Sequence, residues 1–241
     1  AQARAPPSSG LSPRARAVGT SWPGTSMDGH AWRQVAQLLQ CSDSPGGDSD
    51  NDDEEFIALD GVALHQQVHP SRWCVTREDL VQFRFEVGEA IQDGRIVPVV
   101  GDEFDPNDDC MGPSIATVTQ QFIRPVTAAW GGASWALMLH PQGLECHVFV
   151  THCWSEGVFE FLDKVLNSWP RTAKHAYCCM LSNPQNLSIS SLLDQPEQSP
   201  FAKALKAARC MLVVPNSSCS VYTRIWCVYE AFLAYSWNKP I

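Results

Sequence analysis

In this 241-residue sequence, the pattern that points most clearly to a chemical role is a tryptophan and a glutamate four residues apart, Trp226 and Glu230. A spacing of four residues places both side chains on one side of a helix. A carboxylate in that position can stabilise a developing positive charge, and an indole can hold a flat ring by stacking. The same residues also fit a tryptophan used for packing and an exposed glutamate paired with Arg224, and for a glutamate on any helix this structural role is the more common one.

Further polar and reactive side chains follow the first two predicted strands of the C-terminal part. His152, Cys153 and Trp154 come directly after an apolar run, and Ser182 comes directly after the next. Ligands of open parallel sheets bind at the carboxyl ends of the strands, so these residues are candidates for substrate binding. His152 also fits a structural histidine. A catalytic pair of His152 with Cys153 is disfavoured, because adjacent residues on an extended chain point apart.

Three apolar runs in the C-terminal part predict β-strands at His147–Thr151, Ala176–Leu181 and Cys210–Val214. Each run is followed by a segment with helical periodicity, so this part contains three consecutive βα units. Such units predict parallel strands joined by right-handed crossovers. We therefore expect an α/β fold with an open parallel sheet, whose loops gather at the carboxyl ends of the strands.

The helices of these units have recognisable starts. Ser155 is predicted to cap the first, Ser199 the second and Thr223 the third. The third helix is expected to aim Glu230 toward the edge of the core. Its buried stripe is expected to consist of Ile225, Val228, Tyr229 and Phe232.

Three segments of this part resemble the Toll/interleukin receptor (TIR) family. Residues 147–152 are similar to its first strand, residues 211–217 to its third strand, and Tyr222–Glu230 to the segment that ends in Trp-Cys-x-x-Glu. The resemblance covers residues 146–241 and implies a flavodoxin-like sheet with the first strand between the other two. A complete domain of this family would continue past Ile241, so the chain is expected to hold a partial domain.

In the members of the family that cleave NAD, the bond between nicotinamide and ribose is hydrolysed. The resemblance assigns the catalytic carboxylate to Glu230 and a substrate contact to Trp226, with NAD as a substrate and no cofactor. Other members are signalling modules that self-associate or bind other TIR-like domains without catalysis. Both functions stay open here. An unrelated nucleotide-binding α/β protein is disfavoured, because the sequence has no glycine-rich phosphate loop.

The part of the chain before residue 146 divides into two predicted regions. Residues 1–55 are of low complexity and are predicted to be largely disordered. Residues 56–142 predict a small α-rich region of unknown role. The elements expected in that region are a helix opened by Thr76 and Asp79, a strand at Val97–Val100, and a helix at Ile115–Ile123 that Pro125 stops.

Composition disfavours several classes of partner. The net charge is −9, with the surplus in two acidic runs, so nucleic acid is not expected as a partner. The histidines and cysteines lack the spacings of a zinc site, and no metal is expected. An uncharged stretch between Arg124 and Glu145 contains prolines and glycines, which predicts a buried segment and no membrane contact.

The cysteines lie in core-like runs with no apolar signal segment before them, which predicts reduced thiols in a cytoplasmic protein.

Overall fold

The structure, a computed structural model, describes residues 60–187, 195–217 and 219–241. The predicted disordered segment, residues 1–55, lies outside these ranges. The described residues form a mixed α/β structure with a four-stranded sheet. No helix within them is long and apolar enough to cross a membrane.

The sheet consists of β1 (Val75–Thr76), β2 (Val148–Thr151), β3 (His175–Cys178) and β4 (Cys210–Val213), in the order β1-β3-β2-β4. β2 pairs in parallel with β3 and with β4, so that Phe149 lies opposite Tyr177 on one side and Met211 on the other. The predicted parallel arrangement, with the first C-terminal strand in the centre, is confirmed. Every residue of β2 is buried, as expected of a parallel strand covered on both faces.

Helices surround the sheet and occupy much of the region before β2. They are α1 (Gly61–Gln67), α2 (Arg77–Gln92), α3 (Ile115–Val118), α4 (Arg124–Ala129), α5 (Trp135–Leu139), α6 (Val158–Asn167), α7 (Cys179–Ser182), α8 (Pro200–Ala207) and α9 (Ile225–Ser236). The strand predicted at Ala176–Leu181 ends at Cys178, earlier than expected. Its last residues belong to the helical turn α7, because the chain turns directly after Cys178.

The start of α2 follows the sequence prediction. The Thr76 hydroxyl accepts a hydrogen bond from the Asp79 N–H at 3.0 Å, and the Asp79 carboxylate accepts one from the Thr76 N–H at 2.7 Å. This reciprocal pair is a capping box, which satisfies two donors at the start of the helix. It also fixes the junction between β1, the antiparallel edge strand, and the helix.

Replacing Thr76 by alanine is expected to lower the free energy of unfolding by about 1–2 kcal/mol, because the Asp79 N–H loses its acceptor. Thr223→Ala is the matched control. The Thr223 hydroxyl donates to the Ser220 carbonyl within a turn and caps no helix, so its loss should cost less than about 0.5 kcal/mol. Urea unfolding measures both values, and equal losses would contradict the capping role.

The segment after Ile115 is helical for longer than predicted. The chain passes from α3 through a π-helical turn, Thr119–Ile123, into α4, and Pro125 lies within that helical run instead of ending it. A proline lacks the N–H of a regular helical bond, and a π turn is one way in which a helix accommodates such a defect. The predicted strand at Val97–Val100 is also wrong, since only an isolated bridge joins Val99 to Asp102.

Two of the three predicted helix caps in the C-terminal part are wrong. Ser199 caps α8 as expected, with its hydroxyl 3.2 Å from the Ala202 N–H. α6 begins after Gly157 and α9 begins after Arg224, neither with a side-chain cap, so Ser155 and Thr223 play other roles.

The orientation of α9 is the reverse of the predicted one. Its buried residues are Cys227, Glu230, Leu233 and Ala234. Three of the four residues that were expected to be buried face outward instead, with Ile225 80% and Phe232 61% exposed and Val228 also exposed. The fourth, Tyr229, is half-buried and packs against the core. Glu230 therefore lies inside the protein and not at the edge of the core.

Two apolar clusters cover the two faces of the sheet. Val148 and Val150 contribute to the first cluster and Phe149 to the second, because successive residues of a strand point to opposite faces. The first cluster also contains residues of α2, α3 and α6, including Leu80 and Ile115. The second contains residues of α8 and α9. Each cluster thus contains residues from before and after position 146. The packing of α6 on one face and α9 on the other places the carboxyl end of β2 between these two helices.

Candidate active site

The Glu230 carboxylate lies at the carboxyl end of the central strand. Its Oε2 atom accepts a hydrogen bond from the Thr151 hydroxyl at 2.5 Å, and Glu230 is only 6% exposed. Burial raises the pKa of Glu230 to about 7, although the Thr151 hydrogen bond and the positive charges of His152 and Arg224 act in the opposite direction. Glu230 therefore changes its charge close to neutral pH.

Trp226 lies one helical turn before Glu230 and is half-buried. Its ring stacks on Phe201 of α8 with 5.6 Å between the ring centroids, and its edge packs against Tyr229. The structure thus holds the indole in place from within the protein while leaving part of it exposed.

The start of α9 is tied to the end of β2 by two contacts to one carbonyl. The Arg224 guanidinium donates to the His152 carbonyl at 3.1 Å, and the Cys227 thiol donates to the same oxygen at 3.3 Å. The Arg224 guanidinium also lies 5.8 Å from the centre of the Trp154 ring. These contacts fix Glu230, which is on the same helix, relative to the strand end.

A buried relay of three polar side chains crosses the same edge of the sheet. The His152 Nε2 atom lies 3.2 Å from the Cys179 Sγ atom, and its Nδ1 atom lies 3.1 Å from the Glu156 Oε1 atom. His152 is 2% exposed, Glu156 is 0% exposed and Cys179 is 8% exposed. The relay connects the end of β3, through the end of β2, to the start of α6.

The relay sets the charge of the histidine. Burial alone would lower the pKa of the His152 imidazole, but Cys179 and Glu156 raise it to about 10, so His152 is a cation at neutral pH. The Trp154 indole N–H donates to the Cys179 sulfur at 3.3 Å and fixes its position beside His152. Thiol, imidazole and carboxylate in this order can exchange protons, as in cysteine nucleophiles. The contacts of Cys179 with His152 and Trp154 connect the end of β3 to the residues that follow β2.

The structure brings most of the predicted site residues to one edge of the sheet. Trp154 contacts the relay directly, whereas Cys153 points away from His152 and contacts Ser155 and Cys219. Ser182 is fully buried, and its hydroxyl accepts the Cys178 N–H at 3.0 Å. Ser182 therefore supports the end of β3 from inside the protein.

Three important residues were not among the sequence candidates: Thr151, Glu156 and Cys179. Glu156 lies four residues after His152, a spacing that would indicate a pair on a helix, but these two residues lie in a loop before α6. The sequence pattern puts Cys179 inside a predicted strand and favours a core residue there. Only the parallel pairing of β2 with β3 brings it beside His152.

No predicted site residue lines the groove of about 630 Å³ that lies next to α1 and the start of α8. The residues that line it include His65, Trp73 and Pro200.

Among the described residues, one group has enough ligand atoms for a metal, namely Asp108, Asp109 and Cys110. The Asp108 carboxylate already accepts the N–H groups of Cys110 and Met111, as in an exposed acidic turn.

Comparisons of this chain with protein-family models, with curated proteins and with solved structures return no match.

Proposed function

We propose that this chain cleaves the bond between nicotinamide and ribose in NAD, with Glu230 as the catalytic carboxylate. The observation that carries the proposal is the position of Glu230, whose carboxylate lies 2.5 Å from the Thr151 hydroxyl at the end of the central parallel strand. Ligands of open parallel sheets bind at this edge. The same glutamate is the one to which the TIR resemblance assigns catalysis.

The chemistry requires a negative charge close to the ribose. When the glycosidic bond breaks, nicotinamide leaves with the bonding electron pair, and the ribose C1′ atom becomes part of an oxocarbenium ion. The ionised Glu230 carboxylate stabilises this cation, and its effect is larger inside a protein than in water because the local dielectric is lower. Water then adds to C1′ and releases a proton, so that the products are nicotinamide, ADP-ribose and one proton.

The environment of Glu230 suits this role. A carboxyl with a pKa of about 7 exists in both charge states near neutral pH, so it can act as a carboxylate and accept a proton from the attacking water. The Thr151 hydroxyl fixes one carboxylate oxygen at the end of β2. Rigid positioning of this kind reduces the reorganisation needed during the reaction.

Trp226 supports the binding of a flat ring. It lies on the same side of α9 as Glu230, and its stacking on Phe201 holds the indole at a defined angle. A half-exposed indole can stack on the nicotinamide or adenine ring of the substrate.

The direct test is incubation of the purified protein with NAD, followed by chromatography of the products. We expect nicotinamide and ADP-ribose to form in equal amounts. If neither product forms when protein and NAD are present in equal concentration, the hydrolase proposal is wrong.

A second function, a TIR-type interaction module, is favoured by a different observation. The outward face of α9 exposes large apolar side chains in one stripe, and exposed apolar patches of this kind commonly mark protein interaction sites. Ile225 is 80%, Phe232 61% and Tyr235 83% exposed. In this function, the face binds a second copy of the chain or another TIR-like domain, and no reaction is required.

Phe232→Ser is expected to weaken self-association at least about tenfold in this case, since buried aromatic residues dominate many interfaces. Phe85→Ser is the matched control, because Phe85 is 59% exposed but lies on α2, away from the α9 face. Sedimentation equilibrium at concentrations up to about 100 μM measures the difference. A wild-type protein that stays monomeric, or equal effects of the two substitutions, would exclude self-association through this face.

A further inference from the structure

Two cysteines from different loops meet beside the candidate active site. The Cys219 Sγ atom lies 3.1 Å from the Cys153 Sγ atom, although 66 positions separate the two residues in the chain. Cys153 follows the end of β2, and Cys219 lies in the loop between β4 and α9. Two sulfurs at this distance are in contact, and about 1 Å of movement would bring them to the bond length of a disulfide, about 2.05 Å.

The Ser155 hydroxyl completes the cluster. Its Oγ atom lies 3.1 Å from the Cys153 sulfur and 3.3 Å from the Cys219 sulfur. Burial alone would raise the pKa of the Cys153 thiol, but hydrogen bonds from Ser155 and Cys219 and the charge of Arg224 lower it below its usual value. The thiolate is the reactive form of cysteine, so Cys153 is the more reactive of the two in this arrangement.

The cluster can be reached from solvent. Cys219 is half-buried and Ser155 is exposed, while Cys153 itself is 4% exposed. A small oxidant can therefore approach along the Cys219 side. A reactive thiolate with a second thiol in contact is the usual arrangement of a redox-sensitive cysteine pair.

We propose that Cys153 and Cys219 form a peroxide-sensitive dithiol, a modification site at which hydrogen peroxide or an organic hydroperoxide converts the two thiols into a disulfide. The proposal does not depend on NAD cleavage. The described cysteines are all free thiols, which is the reduced form from which this reaction starts.

The reaction has two steps. The Cys153 thiolate attacks one oxygen of the peroxide, the O–O bond breaks, and Cys153 becomes a sulfenic acid while the leaving oxygen takes up a proton as water or an alcohol. The Cys219 sulfur then attacks the sulfenic sulfur and releases water. Two thiols are thereby oxidised by two electrons, and one molecule of peroxide is reduced.

The disulfide would connect the loop after β2 to the loop that leads into α9. α9 carries both Trp226 and Glu230, so the bond would restrict movement of the candidate catalytic helix relative to the central strand. Reduction by a thiol compound would restore the free pair.

The test is titration of the reduced wild-type protein with hydrogen peroxide, followed by alkylation, digestion and mass spectrometry. We expect a cross-linked Cys153–Cys219 peptide that dithiothreitol removes, at a peroxide concentration about tenfold or more below that which oxidises the exposed Cys110, whose thiol pKa is raised by Asp109. The internal control is the pair Cys74 and Cys146. These thiols are also hydrogen-bonded to each other, but burial raises the pKa of Cys74, and they should stay reduced.

Two variants test the separate roles of the cysteines. In Cys219→Ser, Cys153 should stop at the sulfenic acid and react with dimedone, whereas in Cys153→Ser, Cys219 should stay a thiol at the same peroxide concentration. Absence of the cross-linked peptide in the wild-type protein would overturn the proposal, as would oxidation of Cys110 before the pair. Equal dimedone labelling of the two variants would overturn the assigned order of steps.

Discussion

Replacing Glu230 by glutamine is expected to lower the rate of nicotinamide release from NAD by about 100-fold or more. This loss corresponds to about 2.7 kcal/mol of transition-state stabilisation, a typical value for removing one electrostatic contact to a developing charge. Glutamine keeps the size of the side chain and an oxygen that can accept the Thr151 hydroxyl, but it carries no negative charge. The measurement is the single-turnover rate of nicotinamide release in the variant and the wild-type protein.

Glu197→Gln is the matched control for this experiment, because Glu197 is an exposed glutamate in the turn before α8. It should leave the rate unchanged. Thermal unfolding separates catalysis from folding. Since the buried, ionised form of Glu230 is destabilising, the Glu230→Gln variant should unfold at the same temperature as the wild-type protein or higher at about pH 8. An unchanged rate in this folded variant would remove Glu230 from the mechanism.

Replacing Glu156 by glutamine is expected to lower the free energy of unfolding by about 3–5 kcal/mol. The substitution removes the carboxylate that lies 3.1 Å from His152, so the buried histidine cation loses this negative charge and keeps the contact with Cys179. The control is Asp163→Asn on α6. Asp163 pairs with Arg84 at 2.7 Å, and the two side chains are 44% and 31% exposed, so its loss should cost no more than about 1 kcal/mol.

The effect of Glu156→Gln should also depend on pH. The folded-state pKa of His152, about 10, lies above its unfolded value of about 6.5. The stabilisation from the charged pair is therefore fully present below about pH 6.5 and is lost as the pH rises through about 10. Urea unfolding should therefore give the largest difference between variant and wild-type protein at about pH 6, and a smaller one as the pH rises toward about 10. Equal differences at about pH 7 and about pH 10 would show that His152 is not charged in the folded protein.

The sequence predicted those parts of the fold that depend on local patterns. The strands β2, β3 and β4 were found because each is a short apolar run between turn signals, and α2 was found from its capping box. Their parallel pairing followed from the alternation of strands and helices. The register and the neighbours of each strand depend on pairing between distant segments, which is why the contribution of β1 was not predicted.

The orientation of α9 could not be predicted from periodicity. The helix is apolar on almost all sides, so the pattern offers two stripes, and the more hydrophobic one, with Ile225 and Phe232, is the exposed one. The buried side contains the polar Glu230, whose burial is compensated by the Thr151 hydroxyl and nearby positive charge from His152. These compensating groups come from the end of β2, far from α9 in the sequence. The contact between Cys153 and Cys219 was not predicted either, because these two residues are also far apart in the sequence.

The pH dependence of nicotinamide release in the wild-type protein tests the central claim, that an ionised Glu230 stabilises the ribosyl cation, most directly. Because burial raises the pKa of Glu230 to about 7, the single-turnover rate should rise about tenfold per pH unit from about pH 5, reach half its maximum near pH 7, and then level off. In Glu230→Gln the rate should be low and independent of pH. A wild-type rate that is constant from about pH 5 to about pH 9, or the same rise in both proteins, would contradict the account.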